Sequence, residues 1–337
     1  MPFTPTRRQT LGKILLSSLT LASGLGMGSA QADLATPGWP SKTVRIVVGF
    51  PGGSSPDLVA RTLAEPLSKA LGQPVIVENR VGAAGNIAAQ LVAQATDQHT
   101  LGLMINGNMT VARLLNPKLG FDPLKDLAPI SLIATAPLVL ATPASPSTSA
   151  LNAKAALDSA RQAGSQWSYG SPGVGTVAHI GMEALKGRAK MEAVHVPYPG
   201  NPQVITGMIG GQLQLALLPP GLAQAQIKAG KLHAIAVTSS TRSTLVPDIP
   251  SLSEAGVPGF NLEIWDALAA PASMPAPIVA RLSALVSEIS RSPDVRAKLY
   301  QQGWQVVGSS SEGLANRIQS DLKSLGEVVQ RQGIKTD

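Results

Sequence analysis

Residues 44–61 restrict the possible folds more than any other part of this sequence. They read VRIVVGFPGGSSPDLVAR, which predicts a buried strand over 44–48, then a tight glycine-rich loop, then the start of a helix. Ser55 suits a helix N-cap, Pro56 the first helical position, and Asp57 the positive end of the helix dipole. A strand that passes directly into a helix in this way is typical of α/β folds with parallel strands.

The glycine-rich loop is also a candidate anion site. A loop that leads into a helix points backbone N–H groups outward at the carboxyl end of the strand, where an anion can accept them. The Gly-Lys-Ser/Thr ending of a P-loop is missing, so nucleotide phosphate is not indicated, and a carboxylate suits the loop as well. The residues alone leave a second interpretation open, which is a tight turn with a capping serine.

Strand and helix patterns alternate along the rest of the chain. Apolar runs such as 100–105 and 213–218 predict buried strands, and each precedes a polar or glycine-rich loop. A second glycine loop, 170–176, opens a helix as the first one does. Strands separated by helices predict parallel sheets with helices on both faces. The predicted fold class is therefore α/β, with two βαβ lobes followed by an extended segment and C-terminal helices.

The composition excludes several function classes. The chain has 337 residues, enough for two domains, and a net charge of +7 with only 3% aromatic residues. Three basic residues and no acidic one precede Asp33, so the remainder carries +4. This mild charge and the scarcity of aromatic residues argue against nucleic-acid binding. Without cysteine, and with four histidines lacking metal-ligand spacing, the sequence predicts no metal and no cofactor.

The N terminus predicts an export signal. Arg7 and Arg8 precede a short apolar stretch over 14–27, and an Ala-Gln-Ala cleavage site ends at Ala32. The apolar stretch is too short for a membrane span, which needs about 20 residues. We therefore expect cleavage after Ala32 and a periplasmic location. The twin-arginine and general secretory routes both remain open, because Thr10 stands where the twin-arginine pattern prefers Phe.

Two polar clusters follow later predicted strands. Asn106 and Asn108 follow the strand over 100–105, and open α/β sheets bind ligands at such strand ends, although Asn-Gly is also a turn former. In the second lobe, Ser171 and Thr176 could form a second anion cradle that faces the first. His179 could face the same cleft, but on the sequence alone a packing histidine is the better-supported interpretation.

No enzyme signature is present, and the chain is predicted not to be an enzyme. The sequence has no Gly-x-Ser-x-Gly elbow and no paired carboxylates. Ser171 with His179 or His195 leaves a periplasmic hydrolase as a remote alternative, but no acid is placed to orient the base.

Eight segments carry a resemblance to a known family. They are WPSKTVRIVV (39–48), FPGGSSPD (50–57), LGQPVIVENRVGAAGN (71–86), FDPLKDLAP (121–129), YGSPGVG (169–175), VHVPY (194–198), KAGKLHAIAVTS (228–239) and LSEAGVPGF (252–260). In these segments the chain resembles the periplasmic solute-binding proteins of tripartite tricarboxylate transporters, the TctC-like family that includes the Bug receptors of Bordetella.

The resemblance implies a two-domain periplasmic solute-binding fold of type II-like arrangement, with parallel or mixed sheets flanked by helices. Two crossing strands near 134–140 and 263–269 would form the hinge. Domain 1 would combine 33–136 with 266–337, and domain 2 would cover 137–265. The implied ligand-binding residues are Phe50, Gly52, Gly53, Ser54, Ser55, Asn106, Gly107, Asn108, Ser171, Gly173, Gly175, Thr176, His179, Pro219 and Pro220.

The resemblance also implies a function. The protein would close around a small carboxylate as a monomer and deliver it to the membrane permease subunits of a tripartite tricarboxylate transporter. An orphan receptor that signals to a sensor kinase is an alternative. Many relatives carry an Asp after the strand over 213–218 that can meet a ligand amine, but this chain has Pro-Pro-Gly there. Because an unpaired buried ammonium is costly, a mono- or dicarboxylate is favoured over an amino acid.

Overall fold

The computed structural model describes residues 38–145 and 152–335. The predicted signal peptide over 1–32 lies outside the described residues. Within them, none of the helices is long and apolar enough to cross a membrane.

Strands and helices alternate as the sequence pattern predicts. The first part of the chain forms β1 (Val44–Val48), α1 (Ser55–Leu71), β2 (Val75–Asn79), a 3₁₀ turn (Ala83–Gly85), α2 (Asn86–Ala93), β3 (Thr100–Ile105), α3 (Asn106–Met109), α4 (Ala112–Leu115) and β4 (Leu127–Pro137). The middle forms β5 (Val139–Pro143), α5 (Ala153–Ala163), a 3₁₀ turn (Gly164–Gln166), β6 (Ser168–Ser171), α6 (Val177–Ala189), β7 (Val194–Pro197), α7 (Asn201–Ile209), β8 (Leu215–Leu218), α8 (Pro220–Lys228) and β9 (Leu232–Val237). The last part forms β10 (Glu263–Pro271), α9 (Ala276–Arg291), α10 (Pro293–Gln301), β11 (Gln305–Val306) and α11 (Ser311–Gln332).

The strands form two mixed sheets. The first has the order β11-β4-β10-β3-β1-β2 and the second β7-β6-β8-β5-β9. In the first, β1 is parallel to β2 and β3, while β10 runs antiparallel to both β3 and β4. In the second, β6 is parallel to β7 and β8, and β5 is antiparallel to β8 and β9. We call each sheet with its helices a lobe. This arrangement confirms the predicted α/β class with mixed sheets.

The chain passes between the lobes twice. It leaves the first sheet at Leu138, between β4 and β5, and returns between β9 and β10. The long strand β10 then pairs along β4, from Glu263 opposite Pro137 to Pro271 opposite Leu127. The domain limits inferred from the resemblance stay a prediction.

The strand β1 shows why its sequence is apolar without interruption. Ile46 and Val48 pack with Leu63 of α1 in one apolar cluster, whereas Val47 packs in another cluster with Trp265. Because the strand is buried on both faces, apolar side chains are needed at successive positions. Burying each of them stabilises the fold by about 1.5–3 kcal/mol relative to exposure.

The C-terminal helix α11 packs on both lobes. Leu314 and Ile318 belong to an apolar cluster of the first lobe, whereas Leu325 and Val329 belong to a cluster of the second. The helix therefore connects the two lobes along its length.

Candidate functional site

A small cavity lies where the two lobes meet. The first lobe contributes Phe50, Ser55, Asn106, Asp266 and Trp304, and the second contributes Thr176, Val177, Asn201 and Pro219. We call this space the central cavity. Its solvent volume is about 40 Å³, and one water needs about 10–15 Å³ on this measure. The cavity therefore holds only a few small groups when the lobes are together.

A larger pocket of about 620 Å³ lies beside the loops at the lobe boundary. Its lining includes Gly107 and Asn108 from the first lobe, and Gly173, Gly175 and Tyr198 from the second. We call it the outer pocket. The predicted ligand-binding residues are thus divided, because Phe50, Ser55, Asn106, Thr176 and Pro219 line the central cavity instead. Neither lining includes Gly52, Gly53, Ser54, Ser171, His179 or Pro220.

Three helices begin at the central cavity. Its lining includes Ser55 at the start of α1, Thr176 as the N-cap of α6 and Asn201 at the start of α7. The N-terminus of a helix carries a partial positive charge and unpaired N–H groups. Three such ends around one cavity favour an anion there, without any cationic side chain.

The first glycine loop is organised by Asp57. Its carboxylate accepts hydrogen bonds from the backbone N–H of Gly53 at 2.9 Å and from Asn79 at 2.9 Å, and it pairs with Arg61 at 3.0 Å. Burial alone would raise the pKa of Asp57, but these hydrogen bonds outweigh it and hold the pKa below the usual value. The Gly53 N–H is therefore already bonded to Asp57 and is not free to bind a ligand.

The N-cap of α1 is Ser54, not Ser55 as the sequence suggested. Ser54 has extended dihedral angles (φ −70°, ψ 159°) and the helix begins at Ser55. The Ser54 side chain makes no capping bond, and its buried Oγ has no hydrogen-bond partner. Asp57 instead reaches back to the loop, as the acidic residue of a capping box does.

Replacing Asp57 with Asn is expected to lower the free energy of unfolding by about 0.5–2 kcal/mol, the range for losing a helix cap. The variant loses the charge that holds the Gly53 N–H and Arg61. Urea denaturation measures the change. Glu65→Gln is the matched control, because Glu65 forms an exposed pair with Lys69 on the same helix, and such pairs contribute little. Equal stability of both variants would contradict this role of Asp57.

The polar segment after β3 forms the short helix α3 rather than a loop. Asn106 lines the central cavity, and its Nδ2 donates to the Glu263 carbonyl at 3.1 Å. Asn108 donates to the Ala84 carbonyl at 3.0 Å and to Asn86 at 2.8 Å. Asn108 therefore braces the loop after β2, while Asn106 ties β3 to β10.

The second glycine loop is held by its own side chains. The Thr176 hydroxyl donates to the Gly173 carbonyl at 2.8 Å and caps α6 by accepting from the His179 N–H. The Gly175 N–H donates to Nδ1 of His179 at 3.2 Å. Since Nδ1 accepts, neutral His179 carries its proton on Nε2. His179 is thus part of the loop framework, with 6% of its surface exposed.

A stack of rings lies below this loop. The centroids of His179 and His195 are 4.1 Å apart, and those of His195 and Tyr169 are 4.8 Å apart. Burial lowers the pKa of His179 to about 4. Burial and the neighbouring His179 lower the pKa of His195 to about 4 as well. Both rings are therefore neutral at pH 7.

Ser171 and His195 are the pair that the hydrolase alternative needed. The Ser171 Oγ lies 2.7 Å from Nε2 of His195, but Ser171 is fully buried. No carboxylate forms a hydrogen bond with His195 among the hydrogen bonds of the described residues. The pair therefore lacks the acid that orients a catalytic base.

The predicted ligand-binding residues leave out two side chains of the central cavity. Asp266 lies within β10, is 1% exposed, and its Oδ2 has no hydrogen-bond partner. Asn201 is 6% exposed, and its Oδ1 also has no partner. The only sequence signal for Asp266 was a single acid inside an apolar strand. Asn201 did carry a signal, because with His195 and Tyr198 it belongs to a polar cluster in and after the predicted strand over 193–197.

The lobes touch directly beside both cavities. A Cβ atom on Gly107 would lie 2.6 Å from the Gly175 carbonyl oxygen across the boundary. A Cβ on Gly221, in α8, would lie 2.1 Å from the carbonyl oxygen of Gln302. These close approaches are possible only because positions 107 and 221 are glycine. The two lobes are therefore closed against each other. In the described part of the chain, no group of three or more His, Cys, Asp or Glu could hold a metal.

Comparison with known proteins agrees with this architecture. Residues 59–334 match the family described as tripartite tricarboxylate transporter family receptor. Protein BugT of Bordetella pertussis is 30% identical over 321 residues, covering 94% of this chain and 98% of its own length.

Two solved structures resemble the whole fold. MatC from Rhodopseudomonas palustris, solved with malate, is 32% identical with a TM-score of 0.81, over 86% of this chain and 100% of that one. A second R. palustris protein, solved with adipate, is 29% identical with a TM-score of 0.84, over 88% and 99%. The family and these neighbours are substrate-binding proteins, not enzymes. On these matches, the chain belongs to the family of tripartite tricarboxylate transporter receptors.

Proposed function

We propose that the protein is a periplasmic receptor that closes around a small mono- or dicarboxylate and delivers it to a tripartite tricarboxylate transporter. The observation that carries the proposal is the convergence of α1, α6 and α7 on one cavity, which no cationic side chain of the described residues lines. Helix N-termini bind anions through N–H groups and dipoles. Neighbours of this fold bind malate and adipate, which supports a carboxylate ligand.

The remaining parts of the proposal rest on the leader sequence, on the family and on the size of the cavity. Export to the periplasm, with cleavage after Ala32, is supported by the basic, twin-arginine-like leader and the small-residue cleavage site. The receptor would act as a monomer and present its closed form to the permease subunits. The small central cavity favours a ligand with few heavy atoms.

The first experiment is thermal unfolding against mono-, di- and tricarboxylates, amino acids and phosphate. A ligand at 100 times its dissociation constant stabilises by about 2.7 kcal/mol, which raises the unfolding midpoint by roughly 4 °C. We expect one class of carboxylate to give this shift. A shift with phosphate or amino acids alone would contradict the proposal.

Asn201 provides a site-specific test. Its amide lines the cavity and its Oδ1 has no partner to lose, so Asn201→Ala is expected to leave folding stability unchanged. Loss of one hydrogen bond from the Asn201 Nδ2 amide to the ligand carboxylate should weaken binding about tenfold or more, as measured by calorimetry. Asn316→Ala is the matched control, because Asn316 is exposed on α11. Unchanged affinity in Asn201→Ala would remove this residue from the site.

A further inference from the structure

Asp266 is buried in the middle of the molecule, where its Oδ2 has no hydrogen-bond partner. It lies on β10, opposite Ile105 of β3 and Ala134 of β4. Successive side chains of a strand point to opposite faces. The indole of its neighbour Trp265 donates to Asp321 of α11. The Asp266 side chain is therefore on the other face, where it lines the central cavity.

Within the described part of the chain, the surroundings offer this carboxyl group no charge partner. Of the sixteen described residues that line the central cavity, Asp266 alone has an ionisable side chain. None of the ion pairs formed by the described residues includes it. Charged groups on adjoining elements are paired elsewhere, namely Glu263 with Arg317, Asp321 with Arg317, Asp57 with Arg61, and Glu183 with Lys186.

Burial without a partner determines the form of the group. An isolated carboxylate is far more costly to bury than a neutral carboxylic acid. Burial accordingly raises the pKa of Asp266 well above its usual value. A neutral carboxylic acid has one O–H donor. That donor also needs an acceptor, because a buried unsatisfied polar group destabilises the protein.

The rest of the cavity indicates what the acceptor is. The starts of α1, α6 and α7 suit one carboxylate of a ligand, as argued above. A ligand with a second carboxylate would bring an acceptor-only group into a cavity whose described lining holds no cationic side chain. In its neutral form Asp266 can donate a hydrogen bond to that group, beside the amide and hydroxyl groups of the lining. A protonated aspartic acid in an apolar site is a known hydrogen-bond donor in proteins.

We propose that Asp266 donates its carboxyl proton in a hydrogen bond to the second carboxylate of the ligand, so that the receptor selects dicarboxylates over monocarboxylates. The inference rests on the proposed function and narrows its ligand class. It assigns a specificity role to a residue outside the glycine loops. No bond is made or broken, and the proton stays shared between two carboxyl oxygens.

The test compares ligands of equal chain length in three proteins. Calorimetry measures the affinity of wild type, Asp266→Asn and Asp266→Ala for succinate, butyrate and 4-aminobutyrate. If the thermal panel finds a tighter dicarboxylate, that compound and its matched monocarboxylate and amine replace them. Wild type is expected to bind the dicarboxylate at least tenfold more tightly than the monocarboxylate.

The two variants separate donation from charge. Asn keeps an N–H donor without charge, so Asp266→Asn should bind the dicarboxylate within about threefold of wild type. Ala has no donor, so Asp266→Ala should lose about tenfold for the dicarboxylate and nothing for the monocarboxylate. Unchanged monocarboxylate binding also shows that the variant is folded.

Three results would overturn the inference. Preference for the amine, lost in Asp266→Asn, would make Asp266 an ionised partner of an ammonium group. Equal dicarboxylate affinity in wild type and Asp266→Ala would remove Asp266 from recognition. Binding of monocarboxylates alone would do the same and leave the proposed function intact, whereas binding of no carboxylate at all would reject the proposed function itself.

Discussion

A His179→Gln variant is expected to resist acid better than the wild-type protein. Between pH 6.5 and pH 4.5, we expect its loss of unfolding free energy to be smaller by about 2 kcal/mol. His179 has a pKa of about 4 in the folded protein because it is buried, against about 6.5 in an unfolded chain. Gln does not titrate, and its side-chain oxygen can still accept the Gly175 N–H.

The sign follows from proton binding. Over this pH range the unfolded chain protonates His179 and the folded protein does not, so falling pH favours unfolding. The stability is present above pH 6.5 and is lost as pH falls toward 4. The stacked ring of His195 acts in the same direction, since its pKa is also about 4. Gln carries no charge that would lower the pKa of His195, as protonated His179 does. Protonation of His195 therefore opposes folding less in the variant, which adds to its acid resistance.

Two other groups decide how the experiment is designed. The pKa of Asp57 is lowered, so its contribution is lost mainly below pH 4. Asp266 has the opposite effect to the histidines. Because its pKa is raised in the folded protein, falling pH favours the folded state and increases the unfolding free energy. Urea denaturation at pH 6.5 and 4.5 should therefore show a shallower loss for His179→Gln and a steeper loss for Asp266→Asn than for wild type. Identical pH dependence in all three proteins would mean that neither group is buried as described.

The local parts of the fold were predictable from the sequence because local rules specify them. The apolar run before the first glycine loop became β1, and Pro56 and Asp57 marked the first turn of α1. The predicted N-cap of α1, Ser55, was wrong by one position, since the N-cap is Ser54. Ser54 and Ser55 have equal capping ability, and only the path of the backbone decides between them.

The partners of the site residues were beyond local rules. The sequence suggested free N–H and hydroxyl groups in both glycine loops, but Gly53 donates to Asp57 and Ser171 bonds His195. Each pair depends on how a loop folds back on a helix or an adjoining strand. Asp266 was missed for a similar reason, since its isolation is fixed by the register of β10 between β3 and β4.

Gly107→Ala is expected to weaken ligand binding by a factor of about 5–150 while leaving folding stability nearly unchanged. The new Cβ would lie 2.6 Å from the Gly175 carbonyl oxygen of the other lobe. Overpacking of this kind costs about 1–3 kcal/mol. Gly107 lies in helix α3 and does not have a positive φ, so alanine suits its own lobe. The clash disappears if the lobes separate, and the penalty therefore falls on the closed, ligand-binding arrangement.

Gly221→Ala extends the same argument to a second contact. Its Cβ would lie 2.1 Å from the Gln302 carbonyl oxygen, and neither residue takes part in the Gly107 contact. The two substitutions should therefore act nearly additively on affinity.

Gly326→Ala is the matched control, because its Cβ would meet only a flexible Leu114 side chain, at 3.3 Å. Small-angle scattering with the ligand found in the thermal panel should show wild type and Gly326→Ala compact, and the double variant more extended. If Gly107→Ala binds as wild type does, the glycine contacts are not what permits closure. If the Gly107→Ala variant unfolds without its lobes separating, the two lobes form one rigid body and the ligand must enter by another route.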